Sequence, residues 1–177
     1  MLIGITGHSG AHKTAVCKHL CKAHGFTRLH AGTPVKKAVR VLAGLNKAQT
    51  EGKLRDNPTM RLGGAAPRDL LEAVGEATHS AAPNATSIVL QRRVQKRLAM
   101  GQSVVVDGVR SAVEAQTIKR MGGHIVRADD GGEADPSKPM DVRQAAVVAD
   151  QSVDTSGKKE ARKAATDQML ADLRSSS

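Results

Sequence analysis

Leu2-Ile3-Gly4-Ile5-Thr6-Gly7-His8-Ser9-Gly10-Ala11-His12-Lys13-Thr14 decides the fold of this chain. Residues 2–6 are an apolar run that reads as a buried strand. Gly7 to Thr14 form a glycine-rich turn ending in Lys-Thr. A helical pattern follows to His24, with Val16, Cys17, Leu20 and Cys21 on one face and Gly25 as its stop. Strand, turn, Lys-Thr, helix is the layout of a phosphate-binding loop. Forward-pointing backbone N–H groups at a helix start make an anion site, and a lysine there reaches the outer phosphates of a nucleotide. One residue departs from G-x-x-x-x-G-K-[ST]: His12 stands where the pattern has glycine. Its ring either crowds the β-phosphate or, when charged, adds a donor. The bland alternative is a turn that merely opens a helix, with Lys13 and Thr14 in solvent.

The rest of the chain alternates in the same way. Residues 26–30 read as strand 2. Thr33-Pro34 starts a helix with Val35, Val39 and Leu42 on one stripe, stopping near Gly44. Residues 45–66 are broken by Gly52, Asn57, Pro58, Gly63 and Gly64 and read as irregular. Pro67 opens a helix to about Thr78. Asn84 caps another to Met100, with Ile88, Val89, Val94 and Leu98 as candidates for burial. Ser103-Val104-Val105-Val106-Asp107 is the clearest buried strand, as a parallel sheet covered on both faces requires. A helix over 111–121, a strand over 124–127, a Gly/Pro/Asp-rich loop over about 128–140 and a short helix over 140–149 follow. Ser152-Val153 reads as strand 5, residues 158–173 as a closing amphipathic helix, and 175–177 as a frayed end. The expected architecture is α/β: a three-layer P-loop NTPase fold with a five-stranded parallel sheet. It forms a single domain over 1–177, with an irregular acceptor-side insertion at about 45–83 and a short lid-like loop at about 128–140.

Ligands of such sheets sit at the carboxyl ends of the strands. Gly7–Thr14 and Asp107-Gly108-Val109-Arg110 both fall there. An acid ending the strand beside a P-loop can hold Mg²⁺, with the Thr14 hydroxyl on the same ion. Arg110 then points into the phosphate crevice, where its planar fork grips phosphate oxygens. The competing reading has Asp107 capping the next helix and Arg110 in solvent. Arg68, just after Pro67, is a candidate for the acceptor phosphate or an ordinary surface arginine. Ser156-Gly157 either loops over a base through backbone contacts or is a plain strand-to-helix turn.

Composition narrows the classes. The 177 residues are 40% hydrophobic and contain one Phe, no Trp and no Tyr. Base stacking on aromatic platforms is thereby nearly excluded. The net charge of +10 favours anionic partners, with basic clusters at Lys36-Lys37-Arg40, Arg92-Arg93-Lys96-Arg97 and Lys158-Lys159-Arg162-Lys163. Cys17 and Cys21 lack a second pair at zinc-finger spacing and read as small apolar residues. Without a leader pattern or an 18-residue apolar run, the chain reads as cytoplasmic with no membrane partner.

The motifs, in this order, resemble the deoxynucleoside monophosphate kinases of phages and prophages, within the P-loop nucleoside monophosphate kinase superfamily. The likeness spans Gly4-Ile5-Thr6-Gly7 with the P-loop, His24-Gly25-Phe26, Pro34-Val35-Lys36, and Pro67-Arg68-Asp69-Leu70-Leu71 with Gly75-Glu76. It continues through Val109-Arg110 with Glu114-Ala115, Gly122-Gly123, and Ala149-Asp150 with Ser156-Gly157. Asp107-Gly108-Val109-Arg110-Ser111 also resembles a motif of archaeal P-loop proteins related to nucleotide and dephospho-coenzyme A kinases. Several positions depart from the family pattern. His12 replaces glycine, and Thr14 follows the lysine where Asp is common. Gly108 stands where many relatives have Asp, with Asp107 one residue earlier. His30-Ala31 and Ala77-Thr78 replace aromatic positions.

The resemblance implies transfer of the ATP γ-phosphoryl group to a (deoxy)nucleoside monophosphate, with ATP and Mg²⁺ as cofactors. It implies catalytic roles for Lys13, Asp107 and Arg110, with Thr14 and Asp107 at the metal. ATP would be bound by Gly7, Ser9, Gly10, Ala11, His12, Lys13, Thr14, Ser156 and Gly157, and the acceptor by Arg68 and Arg110. The 128–140 loop would close over ATP and exclude water. Two other readings stand beside it: a nucleotide-binding P-loop protein without turnover, and a basic nucleic-acid-binding protein. The partners expected are small-molecule nucleotides, with nucleic acid and a homodimer left open.

Overall fold

A computed structural model describes residues 1–175; Ser176 and Ser177, part of the expected frayed end, lie outside the described residues. The chain divides into two compact units, Met1–Ala31 with Leu90–Ser177, and Gly32–Val89.

The first unit holds a five-stranded, wholly parallel sheet. Its strands are β1 (Leu2–Thr6), β2 (Thr27–His30), β3 (Val104–Asp107), β4 (His124–Asp129) and β5 (Gln151–Asp154), in the spatial order β2-β3-β1-β4-β5. The chain leaves central β1 towards β2 and later returns past it to β4. The carboxyl end of β1 is therefore the point at which the winding reverses, where such sheets bind ligands.

Strand side chains alternate between the two faces, and two cores result. Ile3, Ile5, Val105, Val126 and Val153 pack with Val16, Cys17 and Leu20 of α1 (Lys13–His24) and with Met169, Leu170 and Leu173 of α8 (Lys159–Ser175). On the other face Leu2, Val104, Val106 and Ile125 meet Ala115 and Ile118 of α6 (Ala112–Arg120). Leu90 and Val94 join them from α5, whose full span is Ala85–Leu98. The expected choice on α5 was partly wrong: Ile88 and Val89 are exposed, and the i, i+4 pair Leu90 and Val94 is buried. Gly4 sets how closely α6 can approach. A Cβ there would lie 2.8 Å from Ile118 Cδ1 and 2.9 Å from Ile125 Cδ1 and Val109 Cγ2.

The second unit is helical: α2 (Thr33–Ala43), α3 (Lys47–Glu51), 3₁₀ turns at Lys53–Asp56 and Met60–Leu62, α4 (Pro67–Ala81) and the start of α5. Val35, Val39 and Leu45 form its core, with Leu62, Leu70, Leu71 and Val74 against them; Leu42, expected on that stripe, is exposed. Residues 45–66 are more ordered than their glycines suggested. Asn46 Oδ1 accepts from the Gln49 N–H and Gln49 Oε1 from the Asn46 N–H, both at 3.0 Å, a reciprocal cap that starts α3.

Among the described residues no helix is long and apolar enough to cross a membrane.

Candidate active site

The glycine-rich turn wraps the carboxyl end of β1. Gly7 has φ 135°, and a Cβ on it would stand 2.5 Å from the Ala128 carbonyl oxygen, so the turn passes too close to β4 for any side chain. Gly10 has φ 101°. Ala11 is fully buried, and its carbonyl accepts from Thr155 Oγ1 at 3.2 Å, fastening the turn to the end of β5.

His12 explains its own departure from the glycine pattern. Its φ of 52° is left-handed, and among the described residues no other non-glycine has positive φ. The backbone thus keeps the conformation glycine adopts freely, at a cost of about 1–2 kcal/mol for an L side chain. Histidine is among the residues that tolerate it best. The side chain makes no cap hydrogen bond and is exposed, while its carbonyl accepts from Ala15 N–H at 2.8 Å and starts α1.

Lys13 folds back along the turn. Its Nζ donates to Gly7 O at 2.6 Å and to His8 O. Burial holds its pKa below the ordinary 10.5; the charges of Asp107 and Asp141 oppose that shift and the Arg110 charge adds to it. The acids and the two cations therefore share one electrostatic environment.

Asp107 ends β3 with 2% exposure. Its Oδ2 accepts from Thr14 Oγ1 at 3.1 Å and from Arg28 Nη2. The competing capping reading of Asp107 falls away: Ser111 caps α6, its Oγ accepting from Glu114 N–H at 3.3 Å. The Arg110 N–H donates to Glu114 Oε2 at 2.7 Å. Gly108 has φ 73°, so an acid at that position would be strained; the carboxylate sits one residue earlier, on the last residue of the strand.

Ser156 and Gly157 follow Thr155 directly. Ser156 N–H and Oγ both bond to Asp154 Oδ1, at 2.8 and 2.7 Å, in a tight turn next to the loop. Arg68 belongs to the helical unit, where its Nε donates to Asp56 Oδ1 and its Nη1 lies 3.6 Å from Glu72 Oε1. In the sheet unit the structure gathers the turn, Lys13, Thr14, Asp107 and Arg110 at one end of the sheet.

Sequence reasoning missed four residues there. Arg28 is one. His8 Nε2 bonds Asp130 Oδ1 at 2.7 Å, joining the turn to the loop after β4. Asp141, 3% exposed on α7 (Pro139–Ala145), accepts from the Ser9 N–H at 3.1 Å. Arg28, Asp130 and Asp141 lie outside the turn in sequence, and His8, within it, is marked only by its distant partner Asp130; no local pattern singles them out.

No protein-family model matches the chain. The "Putative deoxynucleotide monophosphate kinase" of Acanthamoeba polyphaga mimivirus is 30% identical over 156 residues, covering 80% of this chain and 81% of that protein. The chain belongs to this family of P-loop kinases. Solved structures show the same fold. A "putative kinase" of Chloroflexus aurantiacus superimposes with a TM-score of 0.55 at 16% identity, over 99% of this chain and 97% of that one. The dephospho-CoA kinase of Campylobacter jejuni gives 0.52 at 8% identity, over 97% and 96%.

For a kinase the Thr14–Asp107 pair is the informative spacing. Neighbouring ligands of an octahedral Mg²⁺ stand about 3 Å apart when each bond is 2.0–2.1 Å long. Thr14 Oγ1 and Asp107 Oδ2 are separated by 3.1 Å, so the donor set fits the ion. The Arg28 guanidinium competes for the same carboxylate oxygen, and its buried Nε has no hydrogen-bond partner.

Proposed function

We propose that this phosphotransferase moves the γ-phosphoryl group of ATP to a (deoxy)nucleoside monophosphate. The observation that carries the reading is the turn from Gly7 to Thr14 at the carboxyl end of β1, with the Lys13 ammonium folded along it and Asp107 beside Thr14. The name of the mimivirus relative supports a deoxynucleotide acceptor.

The turn's amides would receive the α- and β-phosphates at the start of α1. Lys13 would exchange the Gly7 and His8 carbonyls for phosphate oxygens, a stronger, charge-assisted pairing. Thr14 and Asp107 would hold Mg²⁺, which supplies positive charge to the phosphoryl oxygens when bound. Arg110, whose charge is felt at Lys13, would stabilise negative charge on the transferring group. Arg68, oriented by Asp56 and Glu72, would take the acceptor phosphate. Ser156-Gly157 would border the base, and the loop after β4, tied to His8 by Asp130, would cover the nucleotide.

The Arg28–Asp107 pair favours a second reading, nucleotide binding without turnover, because its guanidinium occupies the oxygen that would bind the metal. A coupled assay of ADP formation across the common ribo- and deoxyribonucleoside monophosphates, with Lys13→Ala as control, separates the two. Acceptor-dependent ADP formation lost in K13A supports transfer. ATP binding with no acceptor-dependent turnover supports the second reading.

A further inference from the structure

A separate constellation lies between α1 and α8. His19 and His24 of α1 each place Nε2 2.7 Å from the same atom, Asp167 Oδ1 of α8. The three atoms all lie within 4.8 Å of one another. The rings meet edge to face, centroids 5.8 Å apart at 83°. Their side chains are only 15% and 22% exposed, while the carboxylate is 49% exposed. The imidazoles are thus held by packing, and the carboxylate faces water on one side. The histidines stand at i, i+5, so they do not share a helix face by spacing alone; His24 is the last residue of α1, just before Gly25 turns left-handed.

We propose that His19, His24 and Asp167 form a surface site for a zinc-class divalent cation that ties the carboxyl end of the P-loop helix to the closing helix. Two imidazoles and one carboxylate, with water in the remaining position, are a common donor set for such ions. Tetrahedral bonds of 2.0–2.1 Å place neighbouring donors about 3.3 Å apart, so the carboxylate moves back by about 0.6 Å and the two Nε2 atoms, which lie within 4.8 Å of each other, settle to that same spacing around the ion. An exposed aspartate makes that movement freely. Each ring turns its Nε2 lone pair to the metal and carries its proton on Nδ1. Mg²⁺ prefers all-oxygen ligands and does not compete. The site is distinct from the phosphate turn: His24 stands about 16 Å along the helix axis from Lys13. The inference does not depend on which acceptor the kinase uses.

The test uses the full chain stripped of metal with a chelator, then titrated with Zn²⁺ by calorimetry in excess Mg²⁺ and with Co²⁺ by visible absorption. The expected result is one ion per chain with a micromolar or tighter Kd, a rise in Tm, and a cobalt spectrum without a thiolate charge-transfer band. His19→Ala and Asp167→Ala each weaken binding by about tenfold or more. Asp167→Asn, which keeps the shape and one acceptor oxygen, weakens it too and serves if the alanine variant folds poorly. Three results overturn the proposal: no saturable Zn²⁺ binding, binding unchanged in a His19→Ala/His24→Ala double variant, or a cobalt–thiolate band that assigns the metal to Cys17 or Cys21.

Discussion

Arg28 and Asp107 lie on neighbouring strands and share a hydrogen bond, and the same Asp107 oxygen also accepts from Thr14 at 3.1 Å. The register explains the reach. Arg28 stands opposite Val105, so Arg28, Val105 and Asp107 point to the face that α1 covers. One carboxylate oxygen serves a hydroxyl and a guanidinium, while Arg28 Nε stays without a partner. That arrangement is suited to a change of partners when a cation arrives.

Arg28→Gln is expected to cost about 1.5–3 kcal/mol, the range for a lost charge-assisted hydrogen bond, because Asp107 stays buried with one partner fewer. It is also expected to lower the Mg²⁺ concentration needed for half-maximal turnover, since nothing then competes for the carboxylate. Urea denaturation checks the first and a Mg²⁺ titration of ADP formation the second. Lost turnover with unchanged Mg²⁺ dependence would place Arg28 on the nucleotide instead.

His12→Gly is expected to stabilise the protein. Relief of the left-handed strain, about 1–2 kcal/mol, exceeds the extra chain entropy of glycine, about 0.5–1 kcal/mol. The net gain should raise Tm by about 1–4 °C in a chain of this length. The exposed ring makes no cap bond, so little else is lost. A fall in ATP affinity in the same variant would identify the imidazole as a phosphate donor.

The fold was legible because its evidence is local. The apolar run before Gly7, the β-branched run at 104–106 and the glycine stops at Gly25 and Gly44 each act within a few residues. The glycine-rich turn was legible for the same reason, and the start of α1 after His12 needed only the spacing to Lys13. Arg28, Asp130 and Asp141 were not, because each meets its partner across more than seventy residues of chain, and alternation assigns a face without naming a neighbour. On α5 the apolar pairs Ile88-Val89 and Leu90/Val94 compete for one face, and only the packing of α6 and the sheet decides between them.

Lys13 gives opposite pH trends for binding and for stability. Burial lowers its pKa below 10.5, so the ammonium is lost earlier than from a free lysine as pH rises. ATP affinity is expected to fall across the window between the lowered value and 10.5. Stability of the nucleotide-free protein is expected to rise in the same window, because the unfolded chain then binds the proton more tightly than the folded one. Calorimetric ATP titrations and urea midpoints between about pH 7 and pH 10 read both trends. In Lys13→Met both slopes should flatten.

Asp141 sets a negative charge against the loop proposed to hold phosphates. Its Oδ1 accepts from the Ser9 N–H at 3.1 Å, and its charge reaches Lys13. A phosphate bound in the turn meets this carboxylate as a like charge and competes with it for the Ser9 amide. Asp141→Asn keeps an oxygen for that amide and removes the charge, so ATP binding is expected to tighten by several-fold. The loss of a charged hydrogen-bond acceptor should cost the nucleotide-free protein about 1–2 kcal/mol. Asp141→Ala leaves the amide without its side-chain acceptor, and should lose more stability for a similar gain in affinity. Weaker ATP binding in D141N, measured by calorimetry at fixed Mg²⁺, would instead assign Asp141 to a cation or to a ribose hydroxyl, and the like-charge argument would fall.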